Sequence, residues 1–192
     1  MKDLGRLKED IVFNARLRGR AFTFHTTWGL FSPRRIDDGS FLLIERMDVE
    51  AGDVTLDLGC GYGAIGLAVA ADSPNGRVHL VDKDFVAIEF ARKNAIQNRL
   101  RNCDFYLSNA LREVADIQFD HIASNLPAQV GRELLTIILQ DAKRHLKPGG
   151  RLTIVTISGL RRFIRRNLEE VFGNYEKLKQ SRGYTVARSI RE

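Results

Sequence analysis

Apolar and polar residues alternate in two patterns along this chain, and these patterns predict where its strands and helices lie. Short runs rich in Val, Ile and Leu are typical of buried strands, whereas apolar residues three and four positions apart indicate helices packed on one face. After residue 50 the two kinds of segment alternate. Strands are predicted at 54–58, 77–81, 102–107, 119–124 and 151–157, and helices at 64–71, 85–98 and 131–146, the last one stopped by Pro148, Gly149 and Gly150.

The two ends of the chain depart from this alternation. The C-terminal part predicts a helix around 160–170 and two antiparallel strands, 175–180 and 184–190. Near the N-terminus, 21–27 and 29–32 predict a short hairpin, and 37–47 predicts a helix capped by Asp38 or Ser40.

The order of segments predicts an α/β protein with a Rossmann-like, doubly wound sheet. We expect seven strands, mostly parallel, with an antiparallel C-terminal strand. Residues 51–192 form the predicted core domain, and residues 1–50 form an N-terminal extension of hairpin and helix packed on it.

Length and composition narrow the class of protein. A chain of 192 residues suits one α/β domain with a complete core. It has no apolar run of 18 residues and its first residues lack the apolar core of a signal peptide, so we expect a cytoplasmic protein without a membrane partner. Cys60 and Cys103 show no CxxC or histidine pattern, and neither a disulfide framework nor a metal site is expected. The sequence does not predict an oligomeric state.

The net charge of +6 is concentrated at the two ends of the chain. Residues 1–20 carry six Lys and Arg against three Asp and Glu, and residues 151–192 carry ten against four. A helical stripe is predicted from Arg161, Arg162, Arg165 and Arg166. Such a stripe either attracts RNA phosphates or is a solvated face partly balanced by nearby glutamates, and both interpretations stay open.

The candidate chemistry begins at residues 54–66, VTLDLGCGYGAIG. Glycines at 59, 61 and 63 let the backbone turn sharply and approach a ligand, which indicates a nucleotide-type cofactor. Aligned from Gly59, the segment fits the dinucleotide fingerprint of NAD enzymes, with Asp82 placed to hold a ribose hydroxyl. Aligned from Asp57, it is D-x-G-x-G-x-G, which resembles motif I of the class I S-adenosylmethionine-dependent methyltransferases.

Three further segments extend this resemblance. SNLPA, residues 124–128, resembles motif IV of the amine methyltransferases, whose usual form is N-P-P followed by an aromatic residue. LKPGGRLTIV, residues 146–155, resembles the segment before the fifth strand of that superfamily. FTFHTTWGLFS and DDGSFLLIE resemble the piece that precedes motif I in the small-subunit ribosomal RNA guanine N2-methyltransferases and their single-domain archaeal relatives.

The resemblance implies S-adenosylmethionine as cofactor and ribosomal RNA as partner. Asp82 would hold the ribose, and Asn109 with Ala110 would border the adenine, although Asn109 is equally typical of a plain loop. The implied cofactor pocket comprises Asp57, Gly59, Cys60, Gly61, Gly63, Asp82, Lys83, Asn109, Ala110 and Asn125.

The same resemblance implies how an acceptor amine is positioned. Asn125, Leu126 and Pro127 are the implied catalytic residues. The Asn125 side-chain oxygen and the Leu126 carbonyl would accept the two amine hydrogens, so that the nitrogen lone pair aligns with the methyl group.

Motif IV departs from the family pattern at two positions. Leu126 replaces the first proline, and Ala128 stands where an aromatic side chain would stack on the target base. Trp28 or Phe31 would supply that surface, unless both are core residues.

The leading hypothesis is an N-methyltransferase that modifies an exocyclic amine of guanine in ribosomal RNA. A methyltransferase acting on protein glutamine or a small molecule is the nearest alternative. A non-catalytic RNA-binding relative also stays open, and an NAD-dependent oxidoreductase is disfavoured by Asp57 and SNLPA.

Overall fold

The computed structural model describes residues 10–114, 116–128 and 130–192. Within these ranges two sheets form, a hairpin and a seven-stranded sheet. The strands are β1 Ile11–Leu17, β2 Arg20–Thr26, β3 Val54–Leu58, β4 Arg77–Asp82, β5 Cys103–Leu107, β6 Phe119–Asn125, β7 Leu146–Ile157, β8 Glu176–Gln180 and β9 Tyr184–Ile190. The helices are α1 Asp38–Ile44, α2 Ala64–Asp72, α3 Phe85–Gln97, α4 Arg132–His145 and α5 Arg161–Phe172, and a 3₁₀ turn spans Ser158–Leu160.

The large sheet has the strand order β5-β4-β3-β6-β7-β9-β8. Strands β3 to β7 pair in parallel, and β9 runs antiparallel between β7 and β8. This arrangement confirms the predicted fold class. The strand order reverses between β3 and β6, and a crevice at the carboxyl ends of these strands is the usual ligand position in such sheets.

Helices cover both faces of the sheet. On one face α2 and α3 pack with the hairpin around Phe24 and Leu67, and on the other α4 and α5 pack around Leu139 and Leu168. Every residue of α2 from Ala64 to Ala71 is buried, because this helix lies between the sheet and the N-terminal extension. None of the helices in the described ranges is long and apolar enough to cross a membrane.

The hairpin differs from its prediction. Its strands are β1 and β2, so 21–27 supplies the second strand and 29–32 is a turn, not a strand. The turn between the strands is Arg18 and Gly19, both with positive φ. The free edge of β2 binds Asn94 of α3 and Asn98, the C-cap of that helix. Each side chain accepts from and donates to the β2 backbone at 2.7–3.0 Å.

The strand β7 begins earlier than its pattern indicates. It starts at Leu146 instead of 151, and α4 ends at His145, before Pro148 is reached. A side chain at Gly150 would meet the backbone oxygens of Lys147 and Phe119 at 2.8 and 3.0 Å. The segment 146–150 therefore belongs to the sheet, and its glycine permits the close approach.

Candidate active site

The buried carboxyl group of Asp57 lies at the carboxyl end of β3. Its side chain has no solvent exposure. One oxygen accepts from the Gly66 N–H at 2.7 Å, whereas Oδ1 is buried without a partner in the described residues. Burial raises the pKa of Asp57 to about 7, and the nearby charge of Asp82 acts in the same direction. A buried polar atom without a protein partner has capacity left for a ligand donor.

The glycine loop after β3 leaves open space for a ligand. Gly59 and Gly61 have φ values of +74° and +54°, and a Cβ atom built at either position would meet no atom within 4 Å. The N–H groups of Gly59 and Cys60 both donate to the Val81 carbonyl at 2.9 Å, which holds the loop against β4. The loop is a backbone cradle in a conformation that favours glycine.

Asp82 lies at the end of β4 beside this cradle. Its carboxylate oxygens accept from the N–H groups of Gly61 at 2.9 Å and Asp84 at 3.0 Å. Each oxygen keeps a further acceptor position, so the carboxylate can still bind two hydroxyls. Asp84 accepts from Val86 N–H and caps α3, while Lys83 is exposed between the two aspartates.

Asn109 and Ala110 lie at the same edge, after β5. The Ser108 N–H donates to the Asp82 carbonyl at 2.9 Å, and this bond brings the segment next to Asp82. Ala110 has a φ of +55°, and Asn109 is exposed. The side-chain amide of Asn109 makes no hydrogen bond within the described residues.

Asn125, the last residue of β6, is held by its amide nitrogen. Nδ2 donates to Asp37 Oδ2 at 3.1 Å and to Ser40 Oγ at 2.9 Å. Because a carboxylate only accepts, the contact with Asp37 fixes which end of the amide is the nitrogen. Asn125 Oδ1 receives no hydrogen bond from the part of the chain that the structure describes, so it is available to a substrate donor.

The departure at Leu126 has a structural reason. Its N–H donates to the Val155 carbonyl at 3.0 Å, a bond that a proline cannot make. Its side chain is buried in the core beneath α4 and α5. The chain after Asn125 is thus fixed by packing and a backbone bond, and Pro127 and Ala128 follow at the surface.

Asp37 is a residue that the sequence analysis missed. It caps α1 by accepting from the N–H groups of Gly39 and Ser40, so the predicted caps Asp38 and Ser40 were wrong. Its other oxygen accepts from the Tyr184 hydroxyl at 2.9 Å. Asp37 therefore connects the N-terminal extension to the acceptor motif and to β9. Helix-capping preferences are local, so they cannot predict contacts between residues so distant in sequence.

Trp28 and Phe31 lie in the loop between β2 and α1, and neither is a core residue. They are 53% and 68% exposed. The guanidinium of Arg34 lies 4.4 Å from the Trp28 ring centroid. The hydroxyl of Tyr62, a residue of the glycine loop, donates to the Arg35 carbonyl at 3.2 Å. This bond places the aromatic loop beside the cofactor cradle, and the loop leads directly to Asp37.

The predicted arginine stripe lies on α5 and is not uniform. Arg162, Arg165 and Arg166 are exposed, whereas Arg161 is half-buried. Arg165 donates to Glu169 at 2.9 Å and lies over the Tyr175 ring. Part of the basic excess predicted at the N-terminus falls outside the described residues, namely Lys2, Arg6 and Lys8.

Both cysteines are free thiols. Cys60 is buried in the glycine loop and Cys103 is half-buried in β5. Burial raises the pKa of each thiol, that of Cys103 to about 12, so both stay protonated at neutral pH. Cys60 therefore contributes to the cradle through its backbone.

Comparison with known proteins identifies the family. The family model described as the methyltransferase small domain matches residues 21–188. The Bacillus subtilis protein YbxB is 36% identical over 184 residues, which cover 93% of this chain and 90% of that protein. The ribosomal RNA small subunit methyltransferase C of Klebsiella pneumoniae is 33% identical and covers 97% of this chain, but only 56% of its own length is matched.

A similar solved structure is the 16S rRNA N2 methyltransferase of T. thermophilus, in complex with AdoMet and guanosine. Its TM-score is 0.87 at 29% identity, covering 95% of this chain and 51% of that one. The chain thus spans about half the length of the ribosomal RNA methyltransferases that it matches. The predicted S-adenosylmethionine-dependent methyltransferase of class I is confirmed, and the dehydrogenase interpretation of the glycines is not supported. The chain belongs to the methyltransferase small domain family.

Proposed function

We propose that this chain transfers a methyl group from S-adenosylmethionine to the exocyclic amine of a guanine in ribosomal RNA. The observation that carries the proposal is the orientation of Asn125, whose amide nitrogen is bound by Asp37 and Ser40 and whose oxygen is free. The names of the ribosomal RNA methyltransferases that resemble this chain support the substrate class.

The residues at the carboxyl ends of β3, β4 and β5 fit the cofactor. Asp57 offers an unpartnered oxygen, Gly59 and Gly61 leave room beside the backbone, and Asp82 offers acceptors for two ribose hydroxyls. Lys83, Asn109 and Ala110 border the place proposed for the adenine. When bound, S-adenosylmethionine supplies an electrophilic methyl group and a net positive charge, which suits the carboxylates of this region.

Asn125 and Leu126 orient the acceptor nitrogen. An exocyclic base amine is a poor nucleophile because its lone pair is delocalised into the ring. Asn125 Oδ1 and the Leu126 carbonyl accept its two hydrogens, and the lone pair is then free to attack. Both oxygens also lie where positive charge develops on the nitrogen, so they stabilise the transition state more than the ground state. Neither group binds a proton at neutral pH, so the surplus proton leaves to solvent.

The exposed aromatic loop supplies the base-stacking surface that motif IV lacks. Ala128 offers no ring, whereas Trp28 and Phe31 are exposed close to Asp37 in the chain. A flipped base has an apolar face that stacks on exposed aromatic rings. We propose Phe31 and Trp28 as the surface for the target base.

Methyl transfer from labelled S-adenosylmethionine tests the function. The wild-type protein is incubated with ribosomal subunits, free ribosomal RNA, protein extract and small metabolites, and labelled nucleosides are then identified after digestion. We expect label in N2-methylguanosine. Label in protein or in small molecules instead would contradict the RNA substrate.

The matched variants are Asn125→Ala and Asn14→Ala. Removing a preorganised group that contacts developing charge typically costs about 10²–10³ in kcat, and we expect a loss of this size for Asn125→Ala with unchanged cofactor affinity by calorimetry. Asn14 bonds to Thr23 within the hairpin, and its loss should leave kcat unchanged. Full activity in Asn125→Ala would remove the proposed acceptor role.

A further inference from the structure

Four arginines lie on the acceptor side of the sheet edge: Arg132, Arg161, Arg162 and Arg182, here called the acceptor-side arginines. Arg132 begins α4 shortly after motif IV, Arg161 begins α5 shortly after β7, and Arg182 lies in the turn between β8 and β9. These arginines come from three segments, and the stripe predicted from the sequence contains only Arg161 and Arg162 of the four.

Strand pairing brings these segments to the edge where Asn125 lies. Asn125 pairs with Val155 of β7, two residues before that strand ends. Ile157 at the end of β7 pairs with Tyr184, the first residue of β9. The Ser158 N–H donates to the Gly183 carbonyl at 2.8 Å, which joins the β8–β9 turn to the start of the α5 segment.

The acceptor-side arginines carry charge that the protein does not neutralise. Among the described residues, ion pairs involve other arginines, such as Arg165 with Glu169 and Arg188 with Glu176, and none of these four. The Arg132 guanidinium lies 5.5 Å from the Phe163 ring centroid, so the first turns of α4 and α5 lie side by side. The acidic residues on this side include Glu133 in the first turn of α4 and Asp37, which binds Asn125 and the Tyr184 hydroxyl.

The cofactor side of the same edge has the opposite charge. Four acidic residues lie at or after the carboxyl ends of β3, β4 and β5, namely Asp57, Asp82, Asp84 and Glu113, against two basic ones, Lys83 and Arg112. A phosphate chain that approached over these carboxylates would be repelled, whereas guanidinium groups bind phosphates with two parallel hydrogen bonds. The first turns of α4 and α5 add backbone N–H groups and the positive ends of helix dipoles.

We infer that the RNA phosphates flanking the target base bind the acceptor-side arginines, so that RNA reaches Asn125 over the first turns of α4 and α5 and the β8–β9 turn. This inference rests on the proposed function. The set of RNA-binding arginines therefore differs from the stripe predicted from the sequence. It includes Arg132 and Arg182, and it excludes Arg165, which forms an ion pair with Glu169.

The test is fluorescence anisotropy with a labelled, guanine-containing single-stranded RNA over a series of KCl concentrations. The variant is Arg132→Gln with Arg182→Gln, which removes two phosphate ligands outside the catalytic and cofactor residues. The control is Arg101→Gln. Arg101 is exposed and precedes β5, so it lies at the amino ends of the parallel strands, opposite the proposed RNA surface.

Each phosphate contact to a single strand contributes about 0.7 to the slope of log K against log salt, so the double variant should lose about 1.4 from the slope. The control should keep the wild-type slope and affinity. Equal affinity and slope in the double variant, an equal loss in the control, or no RNA binding by the wild type would each overturn the inference.

Methyl transfer is measured separately on the same proteins. A wild type that binds RNA through these arginines but methylates no RNA would contradict the proposed function and support the binding surface. If the wild type methylates RNA and the double variant does so with the same KM for RNA, the function would be supported and the binding surface would be overturned.

Discussion

The cofactor side and the acceptor side of the sheet edge are built in different ways. On the cofactor side, residues close in sequence set the geometry: the glycines after β3 turn within a few residues, and Asp82 binds Gly61 across one neighbouring strand. On the acceptor side, Asn125 depends on Asp37, 88 positions earlier, and Asp37 binds Tyr184, 147 positions later. The geometry of the cofactor side can therefore be predicted from a sequence motif. The acceptor site forms only when three segments distant in sequence pack together.

The two sides also differ in charge, and this difference separates their ligands. S-adenosylmethionine is a small cation and suits the carboxylates after β3 and β4. RNA is a polyanion and suits the uncompensated arginines of α4, α5 and the β8–β9 turn. Each side repels the ligand of the other, so the charge pattern favours simultaneous binding of both substrates at one edge.

The strongest test of this separation is Asp82→Asn. Hydrogen bonds to a charged group contribute about 1.5–3 kcal/mol, so we expect cofactor affinity to fall by about 10- to 150-fold. RNA affinity should stay at the wild-type value, because Asp82 lies on the cofactor side. Calorimetry with S-adenosylmethionine and anisotropy with labelled RNA measure the two affinities.

Asp84→Asn is the matched control for this prediction. Asp84 caps α3 two residues away, and asparagine caps helices as well as aspartate does. Its cofactor affinity should therefore change little. An equal loss in both variants would show that the local fold, and not the ribose contact, sets the affinity.

The contrast between the two sides also explains what the sequence could predict. The parallel strands and the glycine loop were predictable because apolar runs and glycines at fixed spacing are local signals. The hairpin was misplaced because β1 has alternating exposed positions and its pairing depends on the Arg18–Gly19 turn. Asp37, Arg132 and Arg182 were missed because their roles arise from contacts across the sheet edge, which no spacing rule encodes.

A second test uses the stability of the cofactor-free protein. The pKa of Asp57 is raised to about 7 in the folded state, so its contribution to stability is present at low pH and is lost as the pH rises through about 7. Asp57→Asn lacks this titration. Relative to the variant, the wild type should lose about 1 kcal/mol of unfolding free energy between pH 6 and 7.

Urea unfolding at the two pH values measures this difference. The pKa of the buried His121 is lowered to about 3, which removes stability as the pH falls below its usual 6.5, but His121 is present in both proteins and cancels. Parallel stability curves for wild type and Asp57→Asn would show that the Asp57 carboxyl is ionised throughout. In that case burial would not hold the Asp57 carboxyl in its protonated form at pH 6.

The smallest expected effect concerns the aromatic loop and compares one exposed ring from each side. Phe31 belongs to the loop that leads to Asp37 of the acceptor site, and Phe85 begins α3 on the cofactor side; both are more than half exposed. Stacking on one base contributes about 1–3 kcal/mol, and the low end of that range predicts an approximately fivefold higher KM for RNA in Phe31→Ala. Phe85→Ala should leave the KM for RNA unchanged, because the RNA does not cross the cofactor side. If the two variants exchanged these outcomes, the target base would stack at the start of α3, and the division of the sheet edge into two sides would be wrong.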